Sequence, residues 1–270
     1  MKTAIFLSAR NNSIRLPGKA LLPLAGRPVT ERLIERLKLA KEPDLIALTT
    51  STESGDSIVA DIALACGIET YRGESEDKLQ RYLDAAHHFG LDYCVIVDGD
   101  DPLCDPTYID LLLSDCMAKG FDYGAIQHLP LGITAHVVKV VALEQVVKWK
   151  EGYCEVWPGY FTQGKRFACY FPSCRPEHAA PWLRLTLDYP EDYEMFQRIY
   201  AYLYREGTVF SLDDVLDFLA AYPEIASINQ RVVMQYAENI KHKTDIRWGE
   251  ELEDDGGLRS HTGQLFGLSH

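Results

Sequence analysis

A strand-like run followed by a stretch of helical periodicity recurs four times in the first 120 residues, and few folds accept that alternation. The runs are residues 4–8, 45–50, 68–72 and 93–97. Helical patterns follow over 29–39, 56–66, 76–89 and from Thr107 onward. In the first helix Pro28 sits near the opening position, and Leu33, Leu37 and Ala40 fall on one face. Residues 93–97 are apolar almost throughout, which suits a strand buried on both faces. Strand and helix in repeated succession imply an α/β fold with a mostly parallel sheet and right-handed crossovers.

Beyond Asp122 the pattern loosens. Residues 123–128, 137–140, 167–171 and 183–187 are expected strands, and 143–149 a short helix. The run 183–187 ends in Asp188-Tyr189-Pro190-Glu191-Asp192, after which a helix is expected to about Arg205. Ser211 is an expected N-cap, with Asp213 and Asp214 in the first turn and Leu212, Val215, Leu216 and Leu219 as the apolar face. Residues 249–270 carry acids at 250, 251, 253, 254 and 255 with little periodicity, the pattern of a mobile or partner-docked tail.

The net charge of −13 disfavours nucleic acid as a partner. Its distribution is uneven. Residues 1–41 hold nine Lys/Arg and two Glu, so this part carries +7 and the other 229 residues −20. Arg32, Arg36 and Lys38 are expected on a solvated helix face. No uncharged apolar stretch approaches the roughly 18 residues that span a bilayer, and residues 3–7 are too short for a signal-peptide core. The seven cysteines (66, 94, 104, 116, 154, 169 and 174) are odd in number and contain no Cys-x-x-Cys pair. They point to reduced thiols in the cytoplasm rather than to a disulfide framework or structural zinc.

In open α/β sheets ligands bind at the carboxyl ends of the strands. The loop after the first strand reads Ser8-Ala9-Arg10-Asn11-Asn12-Ser13-Ile14-Arg15-Leu16-Pro17-Gly18-Lys19. It is not a Walker loop, because Ser13 stands where the first Gly belongs and Ala20 follows the Lys. Arg10, Arg15 and Lys19, with backbone N–H groups beside them, suit a triphosphate. The loop after the fourth strand, Asp98-Gly99-Asp100-Asp101-Pro102, gathers acids where burial makes them costly unless solvated or bound to a cation. Asp-Gly and Asp-Pro are also turn dipeptides. Asp188 could bring a further carboxylate across the site, or could equally cap the helix beginning near Pro190.

Together these segments resemble the cytidylyltransferases that activate acidic sugars, the CMP-Kdo and CMP-nonulosonate synthetases, and within them the branch named after the spore coat polysaccharide biosynthesis protein F. The resemblance is carried by Ala9-Arg10-x-x-Ser13-x-Arg15-Leu16-Pro17-Gly18-Lys19 with Leu24-x-Gly26-Arg27-Pro28, and by Arg72-Gly73-x-Ser75-x-Asp77-x-Leu79-x-Arg81-Tyr82. It continues in Gly99-Asp100-Asp101-Pro102-Leu103 with Asp105-Pro106, and in the stretch from Leu183 to Tyr193. It reaches from residue 1 to about 235. Two residues depart from the branch: Asp98 adds a carboxylate before Gly99, and His136 stands where an acid is frequent.

The resemblance implies a Rossmann-like three-layer α/β/α sandwich of the nucleotide-diphospho-sugar transferase type. It implies one domain over 1–248, with 128–181 as an insertion for the acceptor and for dimerisation, and a tail over 249–270. Ala9, Arg10, Ser13, Arg15 and Lys19 would hold the nucleotide's phosphates, and Arg72, Ser75 and Arg81 would lie by base and ribose. Asp100 and Asp188 would bind Mg²⁺, while Gln127, His136 and Arg184 would face the acceptor. The implied reaction is in-line attack of an acceptor hydroxyl on the α-phosphorus of CTP, catalysed by Arg10, Arg15, Lys19 and Asp100, with release of pyrophosphate. The implied partners are CTP and a small acidic acceptor in a cytoplasmic homodimer, with neither nucleic acid nor membrane. Three other readings stay open. A nucleotidylyltransferase for a phosphorylated or phosphonate acceptor would use Lys165, Arg166, Arg175 and Arg184. A GT-A-type glycosyltransferase would use Asp98-Gly99-Asp100 as its metal motif. A nucleotide-binding regulator would keep the site without the chemistry.

Overall fold

The computed structural model describes residues 1–152, 156–241 and 246–249. Thr3–Ser8 (β1) and Tyr93–Asp98 (β6) pair in parallel at the centre of the sheet, and their apolar residues are buried throughout. The remaining strands are Pro23–Leu24 (β2), Arg27–Pro28 (β3), Leu45–Ser51 (β4), Glu69–Gly73 (β5), Tyr123–Ala125 (β7), His136–Lys139 (β8) and Cys169–Tyr170 (β9). β2 and β3 form a small hairpin; the others join β1 and β6 in a seven-stranded sheet of order β5-β4-β1-β6-β8-β7-β9 among the described residues. β8 runs antiparallel to both its neighbours, and the other pairings in this sheet are parallel.

The helices are Val29–Leu37 (α1), Ser57–Ala65 (α2), Lys78–Phe89 (α3), Pro106–Lys119 (α4), Val140–Trp149 (α5), Gly159–Thr162 (α6), Pro190–Leu203 (α7), Leu212–Ala221 (α8), Pro223–Ala226 (α9) and Gln230–Lys241 (α10). α1, α2, α4, α7 and α8 bury their apolar faces on one side of the sheet; α3, α5 and α6 bury theirs on the other. That is the expected α/β/α sandwich. Asp105 caps α4 through the N–H groups of Thr107 and Tyr108, and Ser211 and Asp214 form a reciprocal capping box on α8.

Several expectations need correction. Residues 183–187 are extended and largely buried, yet they join no ladder. Leu185 N–H donates to the carbonyl of Leu131 at 2.7 Å and Leu187 N–H to that of Asp100 at 2.7 Å, so the segment is held by two loops. The expected strand 123–128 stops at Ala125, ahead of His128 with its positive φ of 68°. The strand expected over 167–171 shrinks to Cys169–Tyr170, whereas α5 starts at Val140, ahead of the expected 143. Arg32 and Arg36 are buried instead of solvated. Arg32 donates to the carbonyls of Leu24 and Ala25 and lies 4.1 Å from the Tyr204 ring centre; Arg36 donates to the carbonyl of Phe210. They fasten α1 to the hairpin and to the chain's later helices, while Lys38 is exposed. The six described cysteines are free, and Cys154 lies outside the described residues, as does the acidic tail from residue 250 on.

Candidate active site

The cleft lies where β1 and β6 end side by side. Gly99 N–H donates to the Ser8 carbonyl at 2.8 Å, which draws the two loops together. A Cβ at position 99 would come within 2.5 Å of the Ala9 Cβ, so only glycine permits this approach. Gly132 meets the same demand from the opposite wall: its φ is +96°, and a Cβ there would sit 2.2 Å from the Leu185 carbonyl oxygen. The resulting cavity has a volume of about 530 Å³.

The loop after β1 bends back over the end of β6. Lys19 Nζ donates to Asp100 Oδ2 at 2.7 Å and to Asp188 Oδ1 at 2.9 Å. Arg15 Nη2 reaches the same Asp188 oxygen at 2.5 Å. Burial works against the Lys19 ammonium, but Asp100 and Asp188 outweigh it and hold the side chain charged. Burial likewise pushes the Asp188 carboxyl up, and Lys19 and Arg15 overcome it, leaving the group well below the ordinary carboxylate range. Asp100 moves the other way. Burial raises it, and the charges of Asp188 and Asp98 add to the rise despite Lys19. Asp101 is raised further, by burial and by Asp100 and Asp98. One oxygen from each of Asp98, Asp100 and Asp101 lies within 4.8 Å of the others. Hard carboxylate oxygens gathered this closely form a donor set that a small divalent cation satisfies.

Asp188 does not cap α7. It is held from behind by Arg184, which donates to Asp188 Oδ2 at 3.2 Å and to both oxygens of Asp192 at 3.0 Å. Asp192 accepts the N–H groups of Asp188 and Tyr189, each at 2.9 Å, and Asn229 Nδ2 donates to it at 2.8 Å. Arg184 is therefore part of the support beneath a carboxylate and is occupied away from the cleft. On the other side Arg10 donates to Asp56 at 3.3 Å and to the Ser75 carbonyl at 2.5 Å. Burial would raise Asp56, but Asn11 N–H, the Ser51 hydroxyl and Arg10 hold it below its usual range.

Of the residues expected in the site, Ala9, Arg10, Ser13, Arg15, Lys19, Arg81, Asp100, His136 and Asp188 line this one cavity. Arg81 is fully buried, donates to the Glu74 carbonyl, and leaves Nε and Nη2 without a partner. Arg72 stands outside it, donating to the carbonyls of Ser51 and Glu53 and to the Ser57 hydroxyl. Ser75 also stands outside, its hydroxyl on Glu53 at 3.1 Å. Gln127 is exposed at the far edge of the sheet, its N–H on the Pro172 carbonyl. None of Lys165, Arg166, Arg175 and Arg184 is among the residues lining the cavity. Arg166 lies 5.8 Å from the ring centre of Trp248, and Arg175 bonds His178 and Asp213.

Sequence reasoning missed several lining residues. Lys78 lies 3.7 Å from Asp98 and opens α3 directly after its cap Asp77, a position that could have flagged it. Trp157, Tyr236 and Asn239 also line the cavity, the last two from α10. Nothing local in the sequence marks them.

A family model described as cytidylyltransferase matches residues 4–239. An uncharacterized protein of Methanocaldococcus jannaschii is 30% identical over 237 residues, 86% of this chain and 96% of its own length. The spore coat polysaccharide biosynthesis protein SpsF of Bacillus subtilis is 28% identical over 202 residues, 72% of this chain and 84% of its own. The structure of a cytidylyltransferase from Leptospira borgpetersenii superimposes with a TM-score of 0.76 at 27% identity, covering 84% of this chain and 97% of that one. A CMP:2-keto-3-deoxy-manno-octonic acid synthetase complexed with CTP shares the fold, with a TM-score of 0.58 at 15% identity over 74% of this chain and 99% of that one. Among the described residues no helix is long and apolar enough to cross a membrane.

Proposed function

This chain belongs to the cytidylyltransferase family, and we propose that it transfers CMP from CTP to an acidic sugar of the Kdo or nonulosonate kind, with release of pyrophosphate, in the making of surface polysaccharide. The observation that carries this reading is the convergence of Lys19 on Asp100 and Asp188, residues 81 and 169 positions away in the chain. It joins the basic loop after β1 to Asp100 after β6 and to Asp188 before α7, which supports reading the cations and carboxylates as one site for triphosphate and metal.

In this reading Arg10, Arg15 and Lys19, with Ser13 and the N–H groups from Ala9 onward, neutralise the charge that builds on the departing pyrophosphate. Arg81 offers its two unpartnered nitrogens to the nucleoside, and Arg72 and Ser75 shape that wall through Glu53 without touching it. Asp100 and Asp188 would hold Mg²⁺, which supplies Lewis acidity at the α-phosphate and acidifies the acceptor hydroxyl. Arg184 and Asp192 keep Asp188 turned toward Lys19. The protein forms no covalent bond to substrate; it holds the hydroxyl and the phosphorus in line. The reading also takes 1–248 as one domain, supported by the seven-stranded sheet with helices on both faces, and takes the protein as a cytoplasmic homodimer.

Pyrophosphate release with Mg²⁺ tests this, using the four nucleoside triphosphates against 2-keto sugar acids, sugar 1-phosphates, phosphonates and a neutral hexose. Release with CTP and a sugar acid is expected, and Asp100→Asn should lower turnover at least about 100-fold with the unfolding midpoint preserved. Release confined to a phosphorylated acceptor, or wild-type turnover in Asp100→Asn, would refute the reading.

A further inference from the structure

β6 divides the cleft. On its β1 side stand the loop after β1, with Arg10, Arg15 and Lys19, and the first turns of α3, with Lys78 and Arg81. On its other side stands β8, whose first residue, His136, pairs with Ile96 of β6 and lines the cavity together with Thr134 and Trp157. A nucleotide bound by the cations therefore leaves the β8 side for the acceptor.

The surroundings of His136 settle which of its nitrogens carries the proton. Tyr123 Oη lies 2.7 Å from His136 Nδ1. Tyr123 is fully buried and protonated, and Nδ1 is the one acceptor its hydroxyl reaches among the described residues, so the hydroxyl donates there. Nδ1 must accept, and the ring proton sits on Nε2. Burial also lowers the imidazole to about 4, so the ring is neutral at physiological pH. The ring is clamped between Tyr123, stacked at 5.8 Å, and Trp157, edge-on at 5.2 Å. Nε2 has no hydrogen-bond partner among the described residues, and the edge turned away from Tyr123 is the one left to the cleft.

We propose that His136 is a specificity-determining residue for the acceptor, its Nε2–H serving as a fixed, uncharged donor to an oxygen that can only accept, the carboxylate or keto oxygen of a sugar acid. This rests on the functional reading above and names the group that selects the substrate class. An orphan donor in a cleft favours a ligand that satisfies it, and a hydroxyl that must find its own acceptor satisfies it less well than a carboxylate.

Two measurements test the proposal. In ¹⁵N-histidine-labelled full-length protein without substrate, His136 should show a protonated Nε2 and an unprotonated Nδ1 at neutral pH, and Tyr123→Phe should mix the tautomers. A charged ring or an Nδ1–H tautomer in the wild type overturns the proposal, whatever the acceptor. In pyrophosphate release with CTP, Mg²⁺ and Kdo as the probe, His136→Phe should raise the KM for Kdo about 3- to 10-fold and leave the KM for CTP within twofold. Tyr123→Phe should raise the KM for Kdo less, and His136→Asn should restore part of the loss. Equal effects on both KM values, or none, overturn the proposal while the functional reading stands. If wild-type protein releases no pyrophosphate with Kdo or any other sugar acid, both fall together, and the ¹⁵N result then concerns structure alone.

Discussion

Replacing Arg184 by leucine separates a residue that holds the site from one that touches substrate. Its guanidinium makes three contacts with buried carboxylates: Nε and Nη2 to Asp192 at 3.0 Å and Nη2 to Asp188 at 3.2 Å. The side chains of Arg184, Asp188 and Asp192 are 3%, 4% and 0% exposed, so solvent cannot take over when the cation is gone. Removing one partner of such a buried pair costs about 3–5 kcal/mol. For a domain of this size that is roughly a 6–20 °C fall in the unfolding midpoint. Asp192 keeps three donors in the variant, two backbone N–H groups and Asn229, so the helix start should survive and the loss should stay near the lower figure. Asp188 loses its rear support and keeps Arg15 and Lys19, so kcat should fall while the KM for the acceptor stays near wild type. Thermal and urea unfolding give the first quantity, and steady-state pyrophosphate release gives the second. An Arg184→Leu protein that melts within about 2 °C of wild type, with kcat intact and the acceptor KM raised, would refute the supporting role and return Arg184 to the substrate side.

Three more outcomes follow from the same geometry. Lys19→Met should lower turnover at least about 100-fold, because it removes the cation shared by Asp100 and Asp188; retained turnover would show that the bridge is incidental. Gly99→Ala would set its new Cβ 2.5 Å from the Ala9 Cβ and 3.0 Å from the Ser8 carbonyl oxygen, which forces the two loops apart. It should cost about 1–3 kcal/mol and also activity, checked by melting and turnover on the same sample. The carboxyls of Asp188 and Asp56 are held below their ordinary range, so their stabilisation is fully present above the unfolded value near pH ~4 and is lost as pH falls through their lowered values. Asp100 and Asp101 are raised and act with the opposite sign, costing stability as pH rises past about 4. The urea midpoint of Asp188→Asn should accordingly change less between pH ~4 and ~2 than that of wild type; an unchanged acid slope would contradict the assignment.

The first half of the fold was legible because its elements announce themselves over short distances. Strand-like runs of five or six residues followed by 3.6-residue periodicity located β1, β4, β5, β6 and the helices between them to within a few residues. The second half was less so. Residues 183–187 carry the apolarity of a strand, and only the placement of Leu131 and Asp100 decides that their N–H groups go to loops. Arg32 and Arg36 show the same limit, since a charged residue on a helix is solvated or buried according to which carbonyls approach it from elsewhere in the chain.

The candidate site divides along the same line. Arg10, Arg15 and Lys19 stand within ten positions on one loop, and Asp98, Asp100 and Asp101 within four on another, so the residue types and spacing already marked a cationic and an acidic segment. Local sequence alone determined that much, because contiguous residues share a loop whatever the rest of the chain does. It could not determine that Lys19 reaches Asp188, that Arg184 turns away from the cleft to hold Asp188, that Arg72 faces Glu53 rather than the cavity, or that Tyr236 closes the cleft from the last described helix. Those contacts join residues that are close only after the sheet has brought the strand ends together. His136 is the clearest case. Its sequence neighbours leave its tautomer and charge open; the phenol of Tyr123 on the adjacent strand bears on the first, and burial lowers the pKa that governs the second.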